Sequence, residues 1–139
     1  MAVNTQFSIA VHMMAVLAYL ADRDVTSGNL ATSVNTSPSF VRRVLSKLAK
    51  AGLVETATGK AGRCWLAKRP TEISLLDIYR AVDAPKAFSI HSYPEHKACP
   101  VSCGVKGVLG NALTRTQTVV EANLRQTSLA EIAKEILKK

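Results

Sequence analysis

Thr36-Ser37-Pro38-Ser39-Phe40-Val41-Arg42-Arg43-Val44-Leu45-Ser46-Lys47-Leu48-Ala49-Lys50-Ala51-Gly52-Leu53-Val54 is the stretch from which the fold is read. It has the marks of one helix with defined ends. The Ser37 hydroxyl can accept a backbone N–H of the first turn, which has no carbonyl partner of its own. Pro38 suits the first helical position, where its missing N–H is not needed. Gly52 tolerates the left-handed conformation that stops a helix. Val41, Val44, Leu45 and Leu48 recur at helical spacing and form a face for a core. Ser39, Arg42, Arg43, Ser46, Lys47 and Lys50 fill the remaining surface. A capped helix with a basic outer face fits a DNA major groove. The same face on an ordinary helix would simply be solvated, so its neighbours decide between the two.

Upstream, Thr26-Ser27-Gly28 opens a short helix from Asn29 to Val34, with Leu30, Ala31 and Val34 apolar. Asn35-Thr36 turns it into the Ser37–Ala51 helix. Two short helices around a tight polar turn, the second one basic, give a helix-turn-helix pattern. Downstream, Leu53–Ala57 and Arg63–Ala67 read as two short strands around the glycine-bearing turn Thr58–Gly62. A hairpin placed after a helix-turn-helix is a wing. Lys60 and Arg63 at its tip suit phosphates or the neighbouring minor groove.

Around this centre lies a chain of 139 residues with a net charge of +8, 47% hydrophobic and 20% charged. That balance describes a folded protein with a polyanionic partner, since basic clusters displace counterions from phosphates. A first helix spans about Thr5 to Ala21, with Phe7, Ala10, Val11, Met14, Leu17 and Ala18 on one stripe. His12 lies off the stripe, as a surface or interface residue. The apolar run Ala10–Ala21 is too short to cross a bilayer, and no signal peptide precedes it. Three cysteines suit a cytoplasmic protein better than a secreted disulfide framework.

Beyond the wing, Leu75–Val82 reads as a fourth helix, and the segment from Asp83 to Ala98 as a loop. A long helix then runs from about Val105 to Arg125. Val105, Val108, Leu109, Ala112, Leu113, Thr116, Val119 and Val120 keep a helical stripe along its length of about 30 Å. A small winged-helix core cannot cover that length, so the same helix of a second subunit is the economical partner. Ser128 caps a last helix, Leu129–Leu137. The expected fold is mainly α with a small β-hairpin. Residues 1–83 form a winged helix-turn-helix domain, 84–104 a loop bearing the sensor cysteines, and 105–139 the dimerisation helix and C-terminal helix.

Cys99 and Cys103 are four apart and would share a helical face. His91, His96, Cys99 and Cys103 together offer ligand types for zinc or iron, though their spacing matches no common zinc module. Thiol redox sensing, a structural role and a metal site all remain open for this segment. Lys97, Lys106 and a following helix N-terminus favour a reactive thiol. No Gly-rich phosphate loop, paired-carboxylate motif or His-Glu metal motif is present, so an enzyme is not expected. Low aromatic content, 5%, argues against a base-stacking RNA-binding surface. A non-specific nucleic-acid-binding protein is the rival to a sequence-specific one.

The order of parts resembles the Rrf family of bacterial winged-helix transcriptional regulators. The resemblance rests on Thr36–Arg43, on Leu48–Val54 and on Ile73-Ser74-Leu75-Leu76-Asp77-Ile78-Tyr79-Arg80-Ala81-Val82. It is nearest the YwnA-like members, which share Cys99-Pro100-Val101 and lack an iron–sulfur cluster. Cluster-binding members place three cysteines before the long helix, whereas this segment has only Cys99 and Cys103. The resemblance implies a homodimer with a recognition helix at Pro38–Ala51, a wing at Leu53–Ala67 and a dimerisation helix at Val105–Arg125. The expected function is a cofactor-free repressor on double-stranded promoter DNA, with an iron–sulfur or metal-responsive regulator using Cys99, Cys103 and His91 or His96 as the alternative. Ser37, Ser39, Phe40, Arg42, Arg43, Lys47 and Lys50 on the recognition helix, with Lys60 and Arg63 on the wing, are the expected DNA-facing residues. Arg42 and Arg43 would read bases, and the lysines and Arg63 would hold phosphates. Cys99 and Cys103 are the expected sensor thiols.

Overall fold

The computed structural model describes residues 5–57 and 62–138. Among these, the helices are α1 (Gln6–Tyr19), α2 (Ser27–Val34), α3 (Pro38–Lys50), α4 (Leu75–Ala81), α5 (Pro100–Arg125) and α6 (Leu129–Ile136). The strands are β1 (Val25–Thr26), β2 (Val54–Thr56) and β3 (Arg63–Leu66), and a 3-10 turn spans Pro70–Glu72. The fold is therefore mainly α with a small antiparallel sheet, and no described helix is long and apolar enough to cross a membrane. The chain forms two compact units. One comprises the described residues of Met1–Ala84 and Leu124–Lys139, the other Pro85–Asn123.

The first unit is built on α1. Its expected stripe named Ala10, Met14 and Leu17, and these are buried, but so are Met13 and Ala15. The burial is broader because α1 packs on α2 and also on α6. The last helix thus returns to the winged core instead of extending α5. A two-bond clasp fixes its start: Leu75 donates its N–H to Thr127 O at 2.9 Å, and Leu129 donates to Ile73 O at 2.7 Å. Ser74 and Ser128, paired across this clasp, are also the N-caps of α4 and α6. Leu129 and Ile73 are fully buried as a result.

The helix-turn-helix follows from its caps. Thr26 accepts the Asn29 N–H at 3.1 Å, and Asn29 Oδ1 accepts the Thr26 N–H at 2.9 Å. This reciprocal box starts α2 at Ser27, two residues before the expected Asn29. Asn35 ends α2 in the left-handed region at φ +68°. Ser37 then caps α3 by accepting the Phe40 N–H at 3.3 Å. Gly52, at φ +78°, ends the turn after α3 as its sequence position implies.

The sheet has three strands, ordered β1-β3-β2. β1 was not foreseen. It is two residues long, and its pairing of Val25 with Cys64 and Thr26 with Arg63 is long-range. The β2–β3 hairpin sets Glu55 opposite Trp65 and Thr56 opposite Cys64. The wing tip, with Lys60, lies outside the described residues.

In the second unit, α5 begins at Pro100, five residues before the expected Val105. The loop expected over 84–104 therefore stops short, and Cys103 is helical. The stretch before the helix lies along it. Ala87 donates its N–H to Gln117 Oε1 at 3.0 Å, and a Cβ on Gly110 would sit 3.3 Å from Ile90 Cδ1.

Candidate nucleic-acid interface

Helix α3 turns Val41, Val44, Leu45 and Leu48 inward, each at most 4% exposed. Ser39, Arg42, Arg43, Ser46 and Lys50 are left exposed. The helix holds four cations and no acid, so its outer face carries one sign of charge. Phe40 is half-buried against the core. The Arg43 guanidinium lies 5.3 Å from the Phe40 ring centroid. Such a contact contributes about 0.5–1 kcal/mol at an exposed site and restricts the arginine to fewer directions. Arg42 has no ion-pair partner among the described residues, so its guanidinium donors are available.

Ser37 is occupied as a cap, with its hydroxyl 3.4 Å from that of Ser39. Lys47 differs from Lys50. It donates to Gln6 Oε1 on α1 at 2.8 Å and is half-buried, which ties α3 to the start of α1. Lys50 projects freely. On the wing, Arg63 pairs with Asp24 at 3.5 Å, with both side chains well exposed. Such a surface pair contributes little, so a phosphate can replace the carboxylate at small cost. His12 is exposed on α1, with Nε2 2.9 Å from the Ser33 hydroxyl. The sequence reading missed Trp65, which stands 44% exposed on β3. Its alternation with buried Cys64 was the available signal.

The three cysteines are free thiols in three different environments. Cys99 sits immediately before α5, and its sulfur accepts the Ser102 N–H at 3.4 Å. It therefore acts as a cap for the long helix. Its carbonyl accepts the Cys103 N–H at 3.1 Å, one helical turn on. Cys103 is exposed, and its thiol faces the carbonyls of Lys97 and His96 at 3.7 and 3.8 Å. Lys106 donates to the Tyr93 carbonyl, so this lysine stabilises the preceding loop. Cys64 is 2% exposed in the first unit and donates to Val25 O at 3.6 Å. Burial pushes its thiol up to about 11, which keeps it neutral and unreactive. Among the described residues no three His, Cys, Asp or Glu side chains gather to hold a metal. His91, His96, Cys99 and Cys103 are thus neighbours in sequence without forming a ligand cage.

The family model described as Rrf2, iron-dependent transcriptional regulator, matches residues 3–135. A relative in Bacillus subtilis (strain 168), named as the HTH-type transcriptional regulator YwnA, is 34% identical over 131 residues, covering 94% of this chain and 96% of its own. A transcriptional regulator from Lactobacillus plantarum has a similar structure, with a TM-score of 0.82 and 25% identity over 96% of this chain and 91% of that one. CymR, the global cysteine regulator of B. subtilis, shares the fold at a TM-score of 0.69 and 22% identity, over 97% of this chain and 98% of its own. The iron in the family description needs a set of thiolate or imidazole donors. Cys99 and Cys103 are two such donors one turn apart, while Cys64 is buried in the sheet. A helix-turn-helix with a one-signed basic face, a wing and a long helix, matched nearly end to end by the family model and by a regulator 34% identical, place the chain in the Rrf2 family of DNA-binding transcriptional regulators.

Proposed function

We propose that this protein is a homodimeric, sequence-specific repressor acting on promoter DNA in the cytoplasm. The observation that carries the reading is α3. Its inner face is fully committed to the core, which leaves Ser39, Arg42, Arg43 and Lys50 free to face a groove. Arg42 and Arg43 read bases, Phe40 steadies Arg43, and Lys50, Lys60 and Arg63 hold phosphates, with Ser37 and Lys47 at the edge of the surface. Dimerisation runs through α5. Val101, Val108 and Val119 are 70%, 73% and 67% exposed on it, an apolar stripe that a second copy would bury. Two α3 helices then lie about one DNA turn apart, roughly 34 Å. The test is competition of a labelled promoter fragment with random duplex. Loss of the labelled complex to random DNA at equal concentration would make this a non-specific binder.

Regulation runs through Cys99 and Cys103. The position of Cys99 as the cap of α5 supports this, because oxidation there removes a cap from a helix assigned to the dimer interface. Hydrogen peroxide transfers one oxygen to the Cys99 sulfur, giving a sulfenic acid, and leaves as water. The thiol of Cys103 then displaces hydroxide from that sulfur, forming the S–S bond and a second water. Peroxide should therefore change DNA affinity in the parent and not in Cys99→Ser. An equal response in both would remove Cys99 from the mechanism.

A further inference from the structure

The first unit has a cleft that DNA binding does not use. It opens between the end of α1 and the run from β3 to the 3-10 turn, with a volume of about 490 Å³. Leu17, Leu20, Val25 and Leu66 make much of its lining apolar, and Trp65, 44% exposed, also borders it. Four charged side chains stand at its rim. Two of them are paired: Arg69 Nε lies 3.3 Å from Glu72 Oε1, and this guanidinium, with a smaller contribution from Lys68, holds the Glu72 carboxyl below its ordinary range. The other two, Arg23 and Lys68, are exposed and have no ion-pair partner among the described residues. A cleft of this size, apolar inside with a few convergent polar groups, has the make-up of a small-molecule site.

We propose that this cleft binds a small planar organic anion, with its ring against Trp65 and its carboxylate or sulfonate between Arg23 and Lys68. The indole face offers stacking area at little entropic cost. Arg23 and Lys68 offer charge-assisted hydrogen bonds from the same lining. β3 also bears Arg63, so an occupant would bear on the wing. That consequence rests on the DNA-binding reading, whereas the binding itself does not.

Trp65 is the sole tryptophan of the chain, so its indole N–H gives a single signal in a nitrogen–proton correlation spectrum. The probes are 2-naphthoate and its uncharged counterpart, 2-naphthamide, added to the full chain without DNA. The expected result is a saturable shift of that signal with 2-naphthoate, at a Kd of about 1 mM or tighter. The amide, and the double variant Arg23→Gln/Lys68→Gln with 2-naphthoate, should each bind at least about tenfold more weakly. Both substituted residues are exposed, and an unchanged spectrum elsewhere verifies the fold. No saturable shift, or equal affinity for acid and amide, or undiminished affinity in the variant, would overturn the proposal. The sample contains no DNA, so failure here leaves the DNA-binding reading standing.

Discussion

The guanidinium of Arg43 rests over the ring of Phe40, three residues before it on α3, at 5.3 Å from the centroid. Phe40 is anchored in the edge of the core, so the arginine is aimed by a residue that does not itself need to touch DNA. Arg42, its neighbour, has no such support. Arg42→Ala and Arg43→Ala should each lose about 1–3 kcal/mol of base discrimination, at different positions of the site. Phe40→Leu keeps an apolar side chain at the edge of the core and removes the stacking ring. It should blur preference at the Arg43 position alone. Fluorescence anisotropy on single-base variants of the site is the measurement.

Phosphate contacts should behave differently. Lys50→Ala is expected to weaken all sequences alike and to lower the slope of log affinity against log salt by about one. Lys47→Ala should also cost stability, because its ammonium is bonded to Gln6 at 2.8 Å across two helices. A salt titration of binding, with urea melts of the same proteins, separates the two effects.

The stripe on α5 makes oligomeric state a direct readout. Val108 is 73% exposed in the single chain, so Val108→Asp should leave each chain folded. In a dimer it would bury a carboxylate where an apolar side chain contributes about 1.5–3 kcal/mol. Light scattering should then report a monomer with unchanged helical circular dichroism. A variant that stays dimeric would place the interface elsewhere.

The three thiols should separate by rate. A disulfide reagent at neutral pH should label exposed Cys103 first and half-buried Cys99 next. Cys64 should react only as fast as the sheet opens. The Cys64 thiol also predicts an alkaline effect. Its folded value lies at about 11, against 9.0 for an ordinary thiol, so between these values the unfolded chain has lost a proton that the folded chain keeps. Stability is then fully present below pH 9 and falls as pH rises toward 11. Urea melts of the parent and Cys64→Ala should show their difference in stability changing across this window and flat below it.

The parts legible in the sequence were those fixed locally. Ser37, Pro38 and Gly52 mark α3 because capping and left-handed conformation depend on the residue itself. The pairing of β2 with β3 was legible as two short β-prone runs separated by a few glycine-bearing residues. Strand β1 was not, since two residues carry no periodicity and Val25 is a strand only because Cys64 comes to lie beside it. The return of α6 to α1 was hidden for the same reason: its clasp uses backbone groups of Ile73, Leu75, Thr127 and Leu129, which every residue type offers. The early start of α5 escaped because Pro100 reads as a breaker unless it is placed in the first turn. In the candidate site the basic face of α3 was plain, but the tie of Lys47 to Gln6 and the stacking of Arg43 on Phe40 needed coordinates.

In the proposed dimer, two copies of α3 read one DNA sequence together. Selection of bound sites from a pool of randomised duplexes, followed by sequencing, tests it most directly. The expected result is enrichment of a pseudo-palindrome with half-site centres about one helical turn apart, lost in Arg42→Ala/Arg43→Ala. A pool that remains random after selection, while the protein still retains DNA, would contradict it.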